Sequence, residues 1–113
     1  MPYDERLAAR IRERMEGRSD VAERKMFGGL AFLVSGHMCC GVIGSDLVVR
    51  VGPDAHERLV REPHARPMDF TGRPSKGMVY VSPTGLRTTR SLSRWVDRGL
   101  RFVRALPPRT ATG

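Results

Sequence analysis

The sequence predicts a small α+β domain in which helices pack on an antiparallel sheet, in the order helix, meander, helix, two strands, helix. Three observations point there. Met26–Val51, read as MFGGLAFLVSGHMCCGVIGSDLVVRV, is the longest apolar-rich stretch, and Ser35-Gly36 and Gly44-Ser45-Asp46 cut it into strand-length pieces. Segments on either side carry apolar residues at helical spacing. At 113 residues the chain is one domain. That length buries about 65% of the unfolded surface, enough for a core without metals or disulfides.

Tyr3–Gly17 reads as the first helix. Leu7, Ala8, Ile11 and Met15 form its apolar stripe, Asp4 and Glu5 suit the positive end of its dipole, and Gly17 ends it. Ser19–Glu23 is a polar connection, and Arg24–Phe27 a short strand entering the meander. Gly28-Gly29 marks a bend, a bulge or a close backbone approach. Leu30–Val34, His37–Ile43 and Leu47–Val51 are the main strands. Gly52-Pro53-Asp54 opens a short helix ending near Glu62, where Pro63 stops it. Met68–Phe70 and Met78–Val81 are strands flanking a loop over Thr71–Gly77, with Pro67 confining the first to an edge or an end. Ser82-Pro83-Thr84-Gly85 is a turn. Thr89 or Ser91 caps the last helix, which runs to about Leu106. Leu92, Trp95, Val96, Leu100, Phe102, Val103 and Leu106 cover one face of it, and Arg90, Arg94, Arg98, Arg101 and Arg104 the other. The domain is expected to span residues 3–106, with 107–113 a flexible tail.

The net charge of +8 is unevenly distributed: residues 1–62 sum to zero, whereas 63–113 hold ten basic side chains against Asp69 and Asp97. Arg66, Arg73, Lys76, Arg90, Arg94, Arg98 and Arg101 are therefore the candidate contacts for an anionic partner. Eighteen of the twenty cations are arginine, so a solvated basic face produced by codon composition is the competing explanation. The N-terminus has charges where a signal peptide needs an apolar core, and no run is long enough to span a bilayer, so a cytoplasmic, unprocessed protein without a membrane role is expected.

The chemistry-bearing residues form no complete constellation. Cys39 and Cys40 are adjacent, and on a regular strand they point to opposite faces as small buried thiols. His37, His56 and His64 are the only histidines, and their spacing with the cysteines gives no paired metal-ligand pattern. His37 beside Cys39 offers a nucleophile and base by proximity alone. Asp69 lies among Arg66, Arg73 and Lys76, which suits an ionised loop anchor better than a general base. No catalytic residue, cofactor or metal is expected.

Met26-Phe27-Gly28-Gly29, Asp46-Leu47-Val48-Val49-Arg50, Met68-Asp69-Phe70-Thr71-Gly72-Arg73-Pro74, Lys76-Gly77 and Trp95-Val96 occur in that order. With these the chain resembles the N-terminal domain of the TfoX/Sxy family of competence regulators, over about residues 3–106. The resemblance implies an α-β(3)-α-β(2)-α arrangement similar to the secretion-chaperone-like fold. It implies a bacterial, non-enzymatic regulator. Full-length relatives carry a second domain of helix-hairpin-helix type, and this chain is expected to carry only the first.

The functional expectation is a non-catalytic regulatory or adaptor domain acting by protein–protein interaction, through an uncovered sheet face or strand edge. The alternative is a basic nucleic-acid-binding accessory protein using the C-terminal arginines on one continuous surface. A small-ligand site around His37, Cys39 and Asp69 is the third reading, and a homodimer is compatible with all three.

Overall fold

The computed structural model describes residues 3–26, 28–70 and 73–107, with the backbone alone for 69–70 and 73–76. The elements are α1 (Glu5–Arg14), β1 (Val21–Met26), β2 (Gly29–Val34), β3 (His37–Ile43), β4 (Asp46–Arg50), α2 (Pro53–Leu59), β5 (Ala65–Phe70), β6 (Arg73–Val81), a 3-10 turn (Pro83–Leu86) and α3 (Thr89–Arg104). The strands form one antiparallel six-stranded sheet in the order β1-β2-β3-β4-β6-β5.

The α+β class and the order helix, meander, helix, two strands, helix agree with the sequence. The meander has four strands, one more than the α-β(3)-α-β(2)-α arrangement that the resemblance implies, because the edge segment Val21–Met26 pairs fully with β2. β1 begins at Val21 rather than Arg24, because an edge strand with exposed Ala22, Glu23, Arg24 and Lys25 lacks the alternation that marks a half-buried strand. β5 and β6 take in most of the stretch expected to be a loop, with Phe70 opposite Arg73 across the hairpin. Pro67 is tolerated because β5 is the other sheet edge. α1 begins after Asp4, whose carboxylate accepts from the amides of Arg6 and Leu7. Thr88 caps α3, one residue before the expected Thr89: its hydroxyl accepts from the Ser91 amide at 3.0 Å.

All three helices contribute to one core on one side of the sheet. Leu7, Ile11 and Met15 of α1 and its C-terminal turn, Leu59 of α2 and Leu92, Trp95, Val96, Leu100 and Val103 of α3 meet Leu30, Phe32, Val34, Val42, Leu47, Val49, Val79 and Val81. Phe102 and Leu106, expected on the buried face of α3, are only half-buried at its rim. Val48 and Met68 are buried outside this core, and Leu33, Met38, Ile43, Met78 and Tyr80 are half-exposed. The alternation along β4 and β6 therefore leaves the second sheet face without a helix layer.

The two cysteines depart from the expected arrangement. Phe32 pairs with Cys40 and Leu33 with Met38, so Cys39 is the extra residue of a β-bulge. The bulge cancels the alternation and both thiols enter the same core, each fully buried and free. A hydrogen bond with Cys39, then burial, push the Cys40 thiol well above its ordinary 9.0. Because both thiols are fully buried, neither is expected to react with an aromatic disulfide reagent in the folded protein, and both in denaturant. Fast reaction of one equivalent in native buffer would contradict the buried bulge.

A candidate anion-binding groove between two helices

The chain enters α2 through a turn that only glycine fits. Gly52 has φ +87°, and a Cβ there would sit 2.5 Å from the Phe102 ring. The Gly77 carbonyl accepts from the Val51 and Gly52 amides at 2.7 and 3.1 Å, fixing the start of α2 against β6. Pro53 then begins the helix where a missing N–H costs nothing. α2 consequently runs beside α3 with a groove of about 630 Å³ between them.

Val51, Ala55, Leu59 and Phe102 supply the apolar lining of the groove. Arg58 of α2 faces Arg90, Arg94, Arg98 and Arg101 of α3, with Ser93 and Asp97 completing the wall. Asp97 accepts from Arg14 of α1, so the one acid among the described lining residues is already neutralised. Arg98 is also committed: its guanidinium donates to both oxygens of Glu62, at 3.0 and 2.7 Å, and lies 4.4 Å from the centroid of the Trp95 ring. Among the described residues no carboxylate lies within ion-pair distance of Arg58, Arg90, Arg94 or Arg101. Four exposed guanidinium groups thus stand without an ion-pair partner among the described residues around a partly apolar cleft.

The Glu62–Arg98 pair ties the chain after α2 to α3, with the two side chains 29% and 17% exposed. Glu62→Gln keeps the shape and removes the charge. We expect it to cost about 1–2 kcal/mol, in the range for a charged hydrogen bond at a half-buried site. The check is the urea midpoint; an unchanged midpoint would mean the pair contributes nothing to holding the helices.

The expected anionic contacts do not all share one surface. Arg90, Arg94, Arg98 and Arg101 line the groove. Arg66 does not: it sits opposite Tyr80, on the face away from the core, with its guanidinium 4.6 Å from the Tyr80 ring centroid and 2.8 Å from the Asp46 carboxylate. The expected continuous surface is corrected to that extent. The cause is strand alternation: Val79 and Val81 point into the core, which sends Tyr80 and its partner Arg66 the other way. The Arg73 and Lys76 side chains lie outside the described residues, as do the Asp69 carboxylate and the tail beyond Pro107. Arg58 was not among the expected contacts. Its only sequence signal was a position on the polar side of a short helix, and its role depends on where that helix lands.

Of the candidate chemical residues, His37, His64 and the cysteines are engaged elsewhere, whereas the Nε2 of His56 on α2 is buried with no hydrogen-bond partner among the described residues. His37 bonds through Nε2 to the Pro107 carbonyl. The His64 Nδ1 bonds to the Thr84 hydroxyl at 3.0 Å. Both thiols are sealed in the core. Among the described residues no group of three or more His, Cys, Asp or Glu is placed to hold a metal ion, and no described helix is long and apolar enough to cross a membrane.

A helix-backed antiparallel sheet with a basic cleft between two of its helices defines the class: an α+β domain. The chain belongs to the TfoX N-terminal domain family, whose sequence model matches residues 13–103. No curated protein and no solved structure matches the chain.

Proposed function

We propose that this chain is a non-catalytic regulatory adaptor domain that works by docking another protein in the groove between α2 and α3. The observation that carries the reading is the unpaired set Arg58, Arg90, Arg94 and Arg101 around apolar Ala55 and Phe102. Guanidinium groups bind carboxylates in a planar fork, and an apolar floor adds the burial that a protein partner, more than a small anion, can exploit. Family membership supports a regulatory role. The open sheet face is a weaker docking surface. On it Arg66 is ion-paired, and its β1 edge is blunted by Glu23, Arg24 and Lys25. Action in the cytoplasm fits the two free thiols.

The test is crosslinking in cells from a photoreactive residue at Ser93 in the groove wall, against one at exposed Ala22 on β1. A discrete protein adduct from Ser93 alone, lost with Arg94→Glu/Arg101→Glu, supports the reading. Adducts only from Ala22, or only to nucleic acid, contradict it.

A nucleic-acid reading draws on the continuation of the arginine row to exposed Arg87 and Arg104 at the two ends of α3. It requires oligonucleotide binding that falls steeply with salt, because phosphate contacts release counterions. Anisotropy across a salt series with single- and double-stranded oligonucleotides decides it. Absence of binding at low salt removes it.

A further inference from the structure

The adaptor reading leaves the chemistry of the partner open, and the groove narrows it. We propose that the groove receives an acidic amphipathic helix of the partner protein, whose carboxylates pair with Arg58, Arg90, Arg94 and Arg101 while its apolar stripe rests on Ala55 and Phe102. This inference rests on the adaptor reading and adds the occupant.

Charge comes first. Among the described residues the only acid in the groove wall is neutralised by Arg14, so the cleft presents net positive charge to whatever enters. The row also shows how it takes carboxylates. Glu62 already binds Arg98 through both oxygens, in the forked geometry that a partner's Glu or Asp would repeat at Arg94 and Arg101.

Spacing comes second. Arg90, Arg94 and Arg101 lie at i, i+4 and i+11 on one helix, which spreads them over roughly 16 Å of its axis. A straight, rigid segment meets all three more easily than a turn does, and a helix of about 11 residues covers that length. Arg58 stands on the opposite wall, so carboxylates are wanted on both flanks of the segment with the apolar stripe between them.

The aromatic rings argue against a nucleic acid. Single strands bind by stacking bases on exposed ring faces. Among the described residues, Trp95 is buried with the Arg98 guanidinium over its ring, and Arg66 covers Tyr80. A duplex offers a polar backbone and leaves the Ala55–Phe102 floor without an apolar partner.

The test uses the full chain and a fluorescein-labelled peptide of about 11 residues, with Glu at i, i+4 spacing on both flanks of a Leu stripe. The controls are a scrambled peptide of the same composition and a short DNA duplex. Two double variants remove the same charge at different places: Arg94→Glu/Arg101→Glu in the groove and Arg87→Glu/Arg104→Glu outside its lining. Circular dichroism checks that both fold, and Arg94→Gln/Arg101→Gln serves if the reversal does not. The expected result is micromolar binding of the amphipathic peptide. The groove variant weakens it about tenfold or more, and the outer variant less than about threefold. The scrambled peptide binds worse. Equal loss in both variants, equal binding of the scrambled peptide, or displacement of the peptide by the duplex would overturn the inference. If the peptide fails while Ser93 still crosslinks to a discrete protein in cells, the occupant is wrong and the adaptor reading stands; if both fail, both fall.

Discussion

Trp95→Ala is expected to lose about 3–5 kcal/mol of stability, the cost of deleting a large buried aromatic and leaving a cavity. Trp95 is 2% exposed and stands among Leu92, Val96 and Leu100 on the core face of α3. Its indole also carries the Arg98 guanidinium at 4.4 Å, so the substitution removes packing from the core and support from the Glu62 pair together. A domain of this size has roughly 5–15 kcal/mol in total. The variant should therefore show a large drop in urea midpoint and melting temperature. A loss below about 1 kcal/mol, the range of ordinary surface substitutions, would contradict the placement of α3.

Gly99→Leu is the second large effect. Gly99 is buried in the middle of α3, where a Cβ would stand 2.8 Å from the Cys39 carbonyl oxygen and 3.2 Å from Val49 Cγ1. The nearest obstacle is strand backbone, which cannot rotate aside as a side chain can. Leucine gains about 1 kcal/mol of helix propensity over glycine. Overpacking against a rigid strand costs up to about 3 kcal/mol or more. A net loss of about 2 kcal/mol is expected, and relief of the clash must lift α3 from the sheet. Since α3 forms one wall of the groove, Gly99→Leu should also weaken peptide binding although it alters no arginine. Denaturation and anisotropy on the same sample check both. A variant as stable as the parent, with binding intact, would mean that α3 does not approach β3 so closely.

Much of this architecture was legible where one face of an element meets water and the other a core. α3 is the clearest case: Leu92, Trp95, Val96, Leu100 and Val103 are buried, and Arg90, Arg94, Arg101 and Arg104 are exposed. Gly99 was not legible, because a helical glycine carries no hydrophobic signal and its meaning lies in the strand beneath it. Nor was the start of β1, since Ala22–Lys25 pair with β2 through backbone and expose their side chains. The cysteine pair misled because alternation assumes an unbulged strand, and the shift at Phe32 and Leu33 is set by pairing rather than composition. For the groove, sequence identified the wall on α3. It did not identify Arg58, and it grouped Arg66 with a surface to which alternation does not send it. A cleft between two helices depends on their docking, here fixed by Gly52, Gly77 and the Glu62–Arg98 pair, contacts between residues far apart in the chain.

The most direct test of the account is amide chemical-shift mapping of the full chain titrated with the acidic amphipathic peptide. Perturbations are expected to concentrate in 53–59 and 90–102, with 37–48 and 78–81 little changed. Shifts centred on the open sheet face, or along β1 or β5, would contradict it and move the docking surface to the other side of the domain.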